Sequence, residues 1–236
     1  MKLLIASIAL CFAVTTTAQI SSTEKQALLD LYHSTNGPEW STGWDLETSE
    51  DSWFGVEIKN NTVVSIDLGF NNLKGEIPQS IGNLENLQSL KLFFNQINGS
   101  LPAEIGNLKN LKVLDLNSNA ITGNIPSEIG NLVHLKELLL SSNNFTGTLP
   151  SAIGSLDKLE TLVLFDNHLY GDFPVAIASM ENLKELIIAS NNFNSESLQT
   201  SLATLSLNGT VVDFDENKSI HSNNSEFAIL VMDEDN

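Results

Sequence analysis

Residues 111–134 read LKVLDLNSNAITGNIPSEIGNLVH, and this stretch decides the fold because the chain writes it six times. Copies begin at Val63, Leu87, Leu111, Leu135, Leu159 and Leu183, a strict period of 24 residues. Self-similarity at a fixed period of about 20 to 50 residues marks a solenoid, in which each unit buries its apolar side against the next. Inside a copy, LxxLxL sets apolar residues at alternate positions, as at Leu114 and Leu116, Leu138 and Leu140, and Leu162 and Leu164. That is the period of a short strand with one buried face.

Each strand is followed by an Asn: Asn71, Asn95, Asn119, Asn143, Asn167 and Asn191. An amide offers two donors and an acceptor, so a stacked column of Asn satisfies the backbone of a buried turn, each repeat bonding to the next. These six are expected to be structural. The second half of the unit reads LxGxIPxxIGxL, as in Leu73, Gly75, Ile77, Pro78, Ile81, Gly82 and Leu84. Pro fixes φ and removes a donor, which steers the chain away from another ladder. Extended chain or a short 3₁₀ turn should carry it back along the convex side.

The whole pattern, LxxLxLxxNxLxGxIPxxIGxLxx, resembles the plant-type leucine-rich repeat of receptor-kinase ectodomains, polygalacturonase inhibitors and secreted proteins of some bacteria and algae. The resemblance implies an α/β solenoid: a right-handed superhelix of about six repeats with a parallel concave β-sheet and a helical amino-terminal cap. It covers residues 63–197. In this repeat class the third, fifth, seventh and eighth positions of each copy line the concave face.

Those positions are readable here. The fifth gives Asp67, Lys91, Asp115, Leu139, Val163 and Ile187; the eighth gives Phe70, Phe94, Ser118, Ser142, Asp166 and Ser190; Phe93 and Phe165 fall at the seventh. Strands lie about 4.8 Å apart, so Phe70, Phe93 and Phe94 should cluster near the amino end, with Leu139, Val163, Phe165 and Ile187 forming a second apolar run. Exposed apolar patches mark contact sites, and aromatic residues dominate their energetics. Phe70, Lys91, Phe93, Phe94, Asp115, Leu139, Val163, Phe165 and Ile187 are therefore the candidate partner-binding residues. Asp67, Lys91 and Asp115 occupy one strand position in successive repeats and read as a cross-strand charge ladder rather than as catalytic carboxylates.

Outward from the repeats, residues 1–18 read as a secretory signal peptide: Lys2, an apolar run, then Thr16 and Ala18 before a cleavage point. Cys11 follows Leu10 and lies within the apolar run, against a lipid-anchor reading. Cleavage after Ala18 leaves no cysteine, so stacking alone must supply stability. Residues 19–62 read as an amino-terminal cap, with a helix over Ser22 to Tyr32 and then Trp40, Trp44 and Trp53 among turn formers. The Trp residues are expected to plug the open end of the solenoid; an aromatic platform for sugars is the alternative. SWFGVEI, Ser52 to Ile58, is similar to the end of the plant-type cap, but Asp51 and Ile58 stand where that cap carries cysteines. Beyond Asn191 the pattern decays, and residues 198–236 read as a carboxy-terminal cap and acidic tail.

The chain has 236 residues, 42% of them hydrophobic, and a formal charge of −18 with every basic residue a Lys. Such a surface repels nucleic acid and anionic membranes. No GxSxG, HExxH, GxxxxGK or CxxC occurs, and His33, His134, His168 and His221 are scattered, so neither an enzyme nor a metal or cofactor site is expected. Candidate N-glycosylation sequons stand at Asn60, Asn98, Asn144, Asn208, Asn217 and Asn223. The expected function is a secreted, non-enzymatic recognition module binding a protein, peptide or glycan. Alternatives are an inhibitor of a polysaccharide-degrading enzyme and a surface-active protein such as an ice binder, the latter needing regular rows through Asn98, Thr122, Thr146 or Ser100, Asn124, Thr148.

Overall fold

The computed structural model describes residues 19–204 and 211–213. The signal peptide, the tail from residue 214 and the sequons at Asn208, Asn217 and Asn223 lie outside the described residues. One eight-stranded sheet forms the spine. A hairpin of β1 (Val56–Lys59) and β2 (Thr62–Asp67) opens it, turning through Asn60 and Asn61, both at positive φ as such tight turns require. Parallel strands follow at Ser89–Lys91, Val113–Asp115, Glu137–Leu139, Thr161–Val163, Glu185–Ile187 and Val211–Asp213, the repeats pairing in strict register.

The alternate Leu residues turn inward. Leu114, Leu116, Leu138, Leu140, Leu162 and Leu164 are fully buried, each stacking on its equivalent in the next coil. On the convex side, Pro78, Pro102, Pro126, Pro150 and Pro174 each introduce one turn of 3₁₀ helix, Gln79–Asn83, Ala103–Asn107, Ser127–Asn131, Ser151–Ser155 and Val175–Ser179. The Gly of IPxxIG follows from close approach: a Cβ on Gly82 or Gly106 would fall 2.5 Å from the carbonyl oxygen of Glu104 or Glu128 in the next coil.

Both ends are closed by atypical units. Helix α1 (Ser22–Ser34) begins with a capping box, Ser21 accepting from the Glu24 N–H while the Glu24 carboxylate accepts from Ser21. The buried Glu24 carboxylate also accepts the Val63 N–H at 3.0 Å, tying the cap to the first repeat. Trp40, Trp44 and Trp53 are all buried; Trp44 stacks on Trp53 at 4.7 Å. Their indole N–H groups donate to the carbonyls of Thr35, Phe54 and Asp45. That burial overturns the sugar-platform alternative, because no ring face is left for a ligand. At the other end helix α2 (Ser195–Thr204) lies against the last coil, with Ser197 accepting the Phe173 N–H and the Ser201 hydroxyl donating to the Phe173 carbonyl.

Candidate functional site

The turn leaving each strand does two things. It sends the Asn side chain inward and lifts the preceding residue out. Asn143 shows the inward part: its carboxamide N–H donates to the carbonyls of Leu116 in the previous repeat and of Leu140 and Ser141 in its own, at 2.9, 3.2 and 3.1 Å. Its oxygen accepts the Ile121 N–H at 3.1 Å. Asn95, Asn119, Asn167 and Asn191 repeat this scheme, each reaching one coil back. Asn71, with no repeat before it, exchanges both bonds with the backbone of Thr42 in the cap.

The outward residue of the same turn adopts left-handed backbone in all six copies: Phe70, Phe94, Ser118, Ser142, Asp166 and Ser190 have φ between 49 and 56°. Nothing in the sequence announced this, because Phe is a poor choice for that conformation and masks the signature that Ser and Asp alone leave ambiguous. Phe70 is 66% exposed and Phe94 53% exposed. Their rings stack face to face at 4.5 Å with an interplanar angle of 8°, and Phe93 meets Phe70 edge-on at 5.2 Å. Gly69 makes room for this group, since a Cβ there would lie 2.4 Å from the Phe93 ring. The structure thus brings Phe70, Phe93 and Phe94 together as one aromatic surface.

Further along, Leu139, Val163 and Ile187 are half-buried and pair in register, and Phe165 stands exposed beside them. Between the two apolar areas the face is polar, with Lys91 and Asp115 half-buried on neighbouring strands. The charge ladder expected there is not closed: among the described residues no ion pair joins Lys91 to Asp67 or Asp115. Each carboxylate turns along its own strand instead, Asp115 accepting the Asn117 N–H at 3.1 Å and Asp67 that of Gly69 at 3.4 Å. Burial pushes the Asp115 pKa above the ordinary carboxylate value; the Asn117 N–H and then Lys91 oppose this, while Asp67 and Glu137 add to it.

The lateral side departs from expectation. Thr122 pairs with Ser100 and Asn144, and Asn124 with Thr146, so neighbouring lateral strands are staggered by two residues relative to the 24-residue period. The rows Asn98, Thr122, Thr146 and Ser100, Asn124, Thr148 therefore run obliquely across that side. Asn60, Asn98 and Asn144 are exposed. Among the described residues no His, Cys, Asp and Glu cluster is set to hold a metal, and no helix is long and apolar enough to cross a membrane.

Stacked coils, an Asn column and an open parallel sheet define a repeat scaffold. The chain belongs to the leucine-rich repeat family, whose region model matches residues 66–209. Solved structures agree. One is PEPR1 with AtPEP1, at 30% identity and a TM-score of 0.69, covering 77% of this chain and 27% of that one. Another is the Arabidopsis receptor kinase HAESA ectodomain with an IDA peptide hormone, at 34% identity and a TM-score of 0.65, covering 81% and 32%. A plant ice-binding protein matches at 28% identity and a TM-score of 0.68, covering 74% and 58%. The chain spans about a third or less of the length of the PEPR1 and HAESA chains. Curated protein sequences give no match to it.

Proposed function

We propose that the chain is a secreted, non-enzymatic recognition module that takes an extended peptide or protein segment across its concave sheet. Phe70, Phe93 and Phe94 anchor one end of the segment, and Leu139, Val163, Phe165 and Ile187 receive the other. The observation that carries this reading is the pair of stacked, exposed Phe residues in left-handed backbone. That conformation costs a side chain roughly 1–2 kcal/mol, and ring surface left in water returns little of it. The repeat imposes this backbone in all six copies, so what the fold leaves unaccounted for is the choice of Phe over Ser or Asp at two of them. The complex of the HAESA receptor kinase ectodomain, on the same scaffold, with an IDA peptide hormone supports the choice of ligand.

The test is the double variant Phe70→Ser, Phe94→Ser, which installs the residue type found in this position at Ser118, Ser142 and Ser190. Ser keeps the Cβ and with it the backbone cost, so the variant loses only the stacking of the exposed rings, and stability should fall by no more than about 1.5 kcal/mol. Capture of partners from native secretions should fall to background. Unchanged capture, or a collapse in stability, would defeat the reading.

Likeness to the plant ice-binding protein favours a second reading, a surface-active protein working through its lateral side. The oblique, chemically mixed rows weigh against it, and ice crystals that grow unaltered in the presence of the chain would remove it.

A further inference from the structure

The concave sheet carries its charge in one sense. At the outward strand and turn positions Asp67, Asp115, Glu137, Asp166 and Glu185 outnumber Lys91; Lys112, Lys136 and Lys184 flank the strand starts, where Lys136 and Lys184 pair with Glu160, Lys112 donates to Gln88, and Lys136 also feels the charge of Glu137. From these residues we infer that the ligand is a cationic, aromatic-containing extended peptide, with a Lys or Arg seated over Asp115 and Glu137 and apolar side chains on the two flanking patches. The inference rests on the proposed concave-face reading and specifies its ligand.

The geometry around Asp115 selects a cation. Its carboxylate is half-buried and, among the described residues, accepts the Asn117 N–H alone. Lys91 on one side is the attractive neighbour, while Asp67 two strands away and Glu137 on the other side repel it. Among the described residues neither Asp115 nor Glu137 is in an ion pair. A guanidinium or ammonium group placed between them would meet two carboxylates on adjacent strands, where water is partly excluded and screening is weak. The stacked Phe94 and Phe70, leaving the strands one and two over from Asp115, also favour a cation or a ring.

Length follows from the sheet. From β2 to the strand Val211–Asp213 there are six inter-strand steps of about 4.8 Å, near 29 Å in all, which about nine extended residues span. Aromatic, cationic and aliphatic positions should therefore fall in that order along roughly nine residues.

The experiment is selection of a random nonapeptide library on the immobilised chain, with counter-selection on the Phe70→Ser, Phe94→Ser variant. The expected result is enrichment of net-positive peptides with an aromatic residue. Their affinity should fall at least tenfold in Asp115→Asn, Glu137→Gln, and less than twofold in Glu104→Gln, Glu128→Gln, a convex-side control that removes the same charge. Neutral or acidic winners that still need Phe70 and Phe94 would overturn the cation while leaving the concave site standing. So would basic winners to which both charge pairs matter equally, because that is attraction to the net charge of −18. Absence of any peptide that distinguishes the parent from the Phe variant would overturn both readings together.

Discussion

Asn143 offers the sharpest test of what holds the coils in phase. Replacing it by Ala removes four hydrogen bonds, but the damage is unequal. The carbonyl of Leu116 keeps the Asn119 amide, that of Leu140 keeps the Asn167 amide, and that of Ser141 keeps the Ser118 N–H. The Ile121 N–H has no other acceptor among the described residues. A stranded buried donor costs about 1–3 kcal/mol, and three bonds lost from carbonyls that retain a partner add about 0.5 kcal/mol each at the low end. The sum is about 2.5–4.5 kcal/mol, or roughly 5–18 °C in Tm for a domain of this size.

The second arm separates the donor from the acceptor. Asn143→Asp keeps an acceptor for Ile121 but turns a carboxylate toward three carbonyl oxygens. Its folded pKa must then rise above the unfolded value of about 3.9. A group with a raised folded pKa contributes stability that is fully present below its unfolded pKa and lost as pH rises through the folded one. Urea titrations should place Asn143→Asp near the parent at pH 3 and below Asn143→Ala at pH 7. A loss under about 1 kcal/mol in the Ala variant, or an Asp variant indifferent to pH, would refute the idea that this column carries the turns.

Gly106→Ala drives a Cβ to 2.5 Å from the Glu128 carbonyl, a backbone atom that yields only by parting two coils; a loss of about 1–3 kcal/mol is expected in chemical denaturation. Trp44 lies between Tyr32 at 5.9 Å and Trp53 at 4.7 Å, so Trp44→Ala should cost about 3–5 kcal/mol and expose the first coil to proteolysis. Hydrogen bonds from Lys136 and then Lys184 pull the Glu160 pKa down to about 2. A depressed carboxylate stabilises above its unfolded pKa and loses that contribution as pH falls through its folded one. The small difference between parent and Glu160→Gln should therefore be seen at pH 6 in low salt, vanish near pH 2, and shrink in high salt.

How much of this was legible depended on whether a position had to do the same thing in every copy. The buried Leu and Asn positions did, because each coil meets the same neighbour, and the 24-residue period displays them directly. The eighth position also has one backbone conformation throughout, yet it hides behind Phe70 and Phe94, whose side chains answer to something other than φ. Lys91 looked paired on paper because register puts it between two aspartates. In the structure each aspartate turns one oxygen to a backbone N–H two residues on, a local option that sequence spacing does not rank against the cross-strand one. The lateral stagger was equally invisible, since repeat period counts residues per coil and not how far one coil leans against the next.

The repeats also act as internal controls on function. Positions facing the core hold Leu or Ile in almost every copy, so a demand of the fold recurs wherever the fold recurs. On the concave side the fifth position runs from Asp67 through Lys91 and Asp115 to Leu139, Val163 and Ile187, although all six share one register and one strand geometry. The shared register by itself does not require these residue types. The same comparison isolates Phe70 and Phe94: four sister turns reach the identical φ with Ser or Asp, so the turn has no need of a ring. The proposed reading assigns what differs among structurally equivalent places to a ligand, and that difference traces a line from an aromatic pair, past two carboxylates, to an aliphatic row.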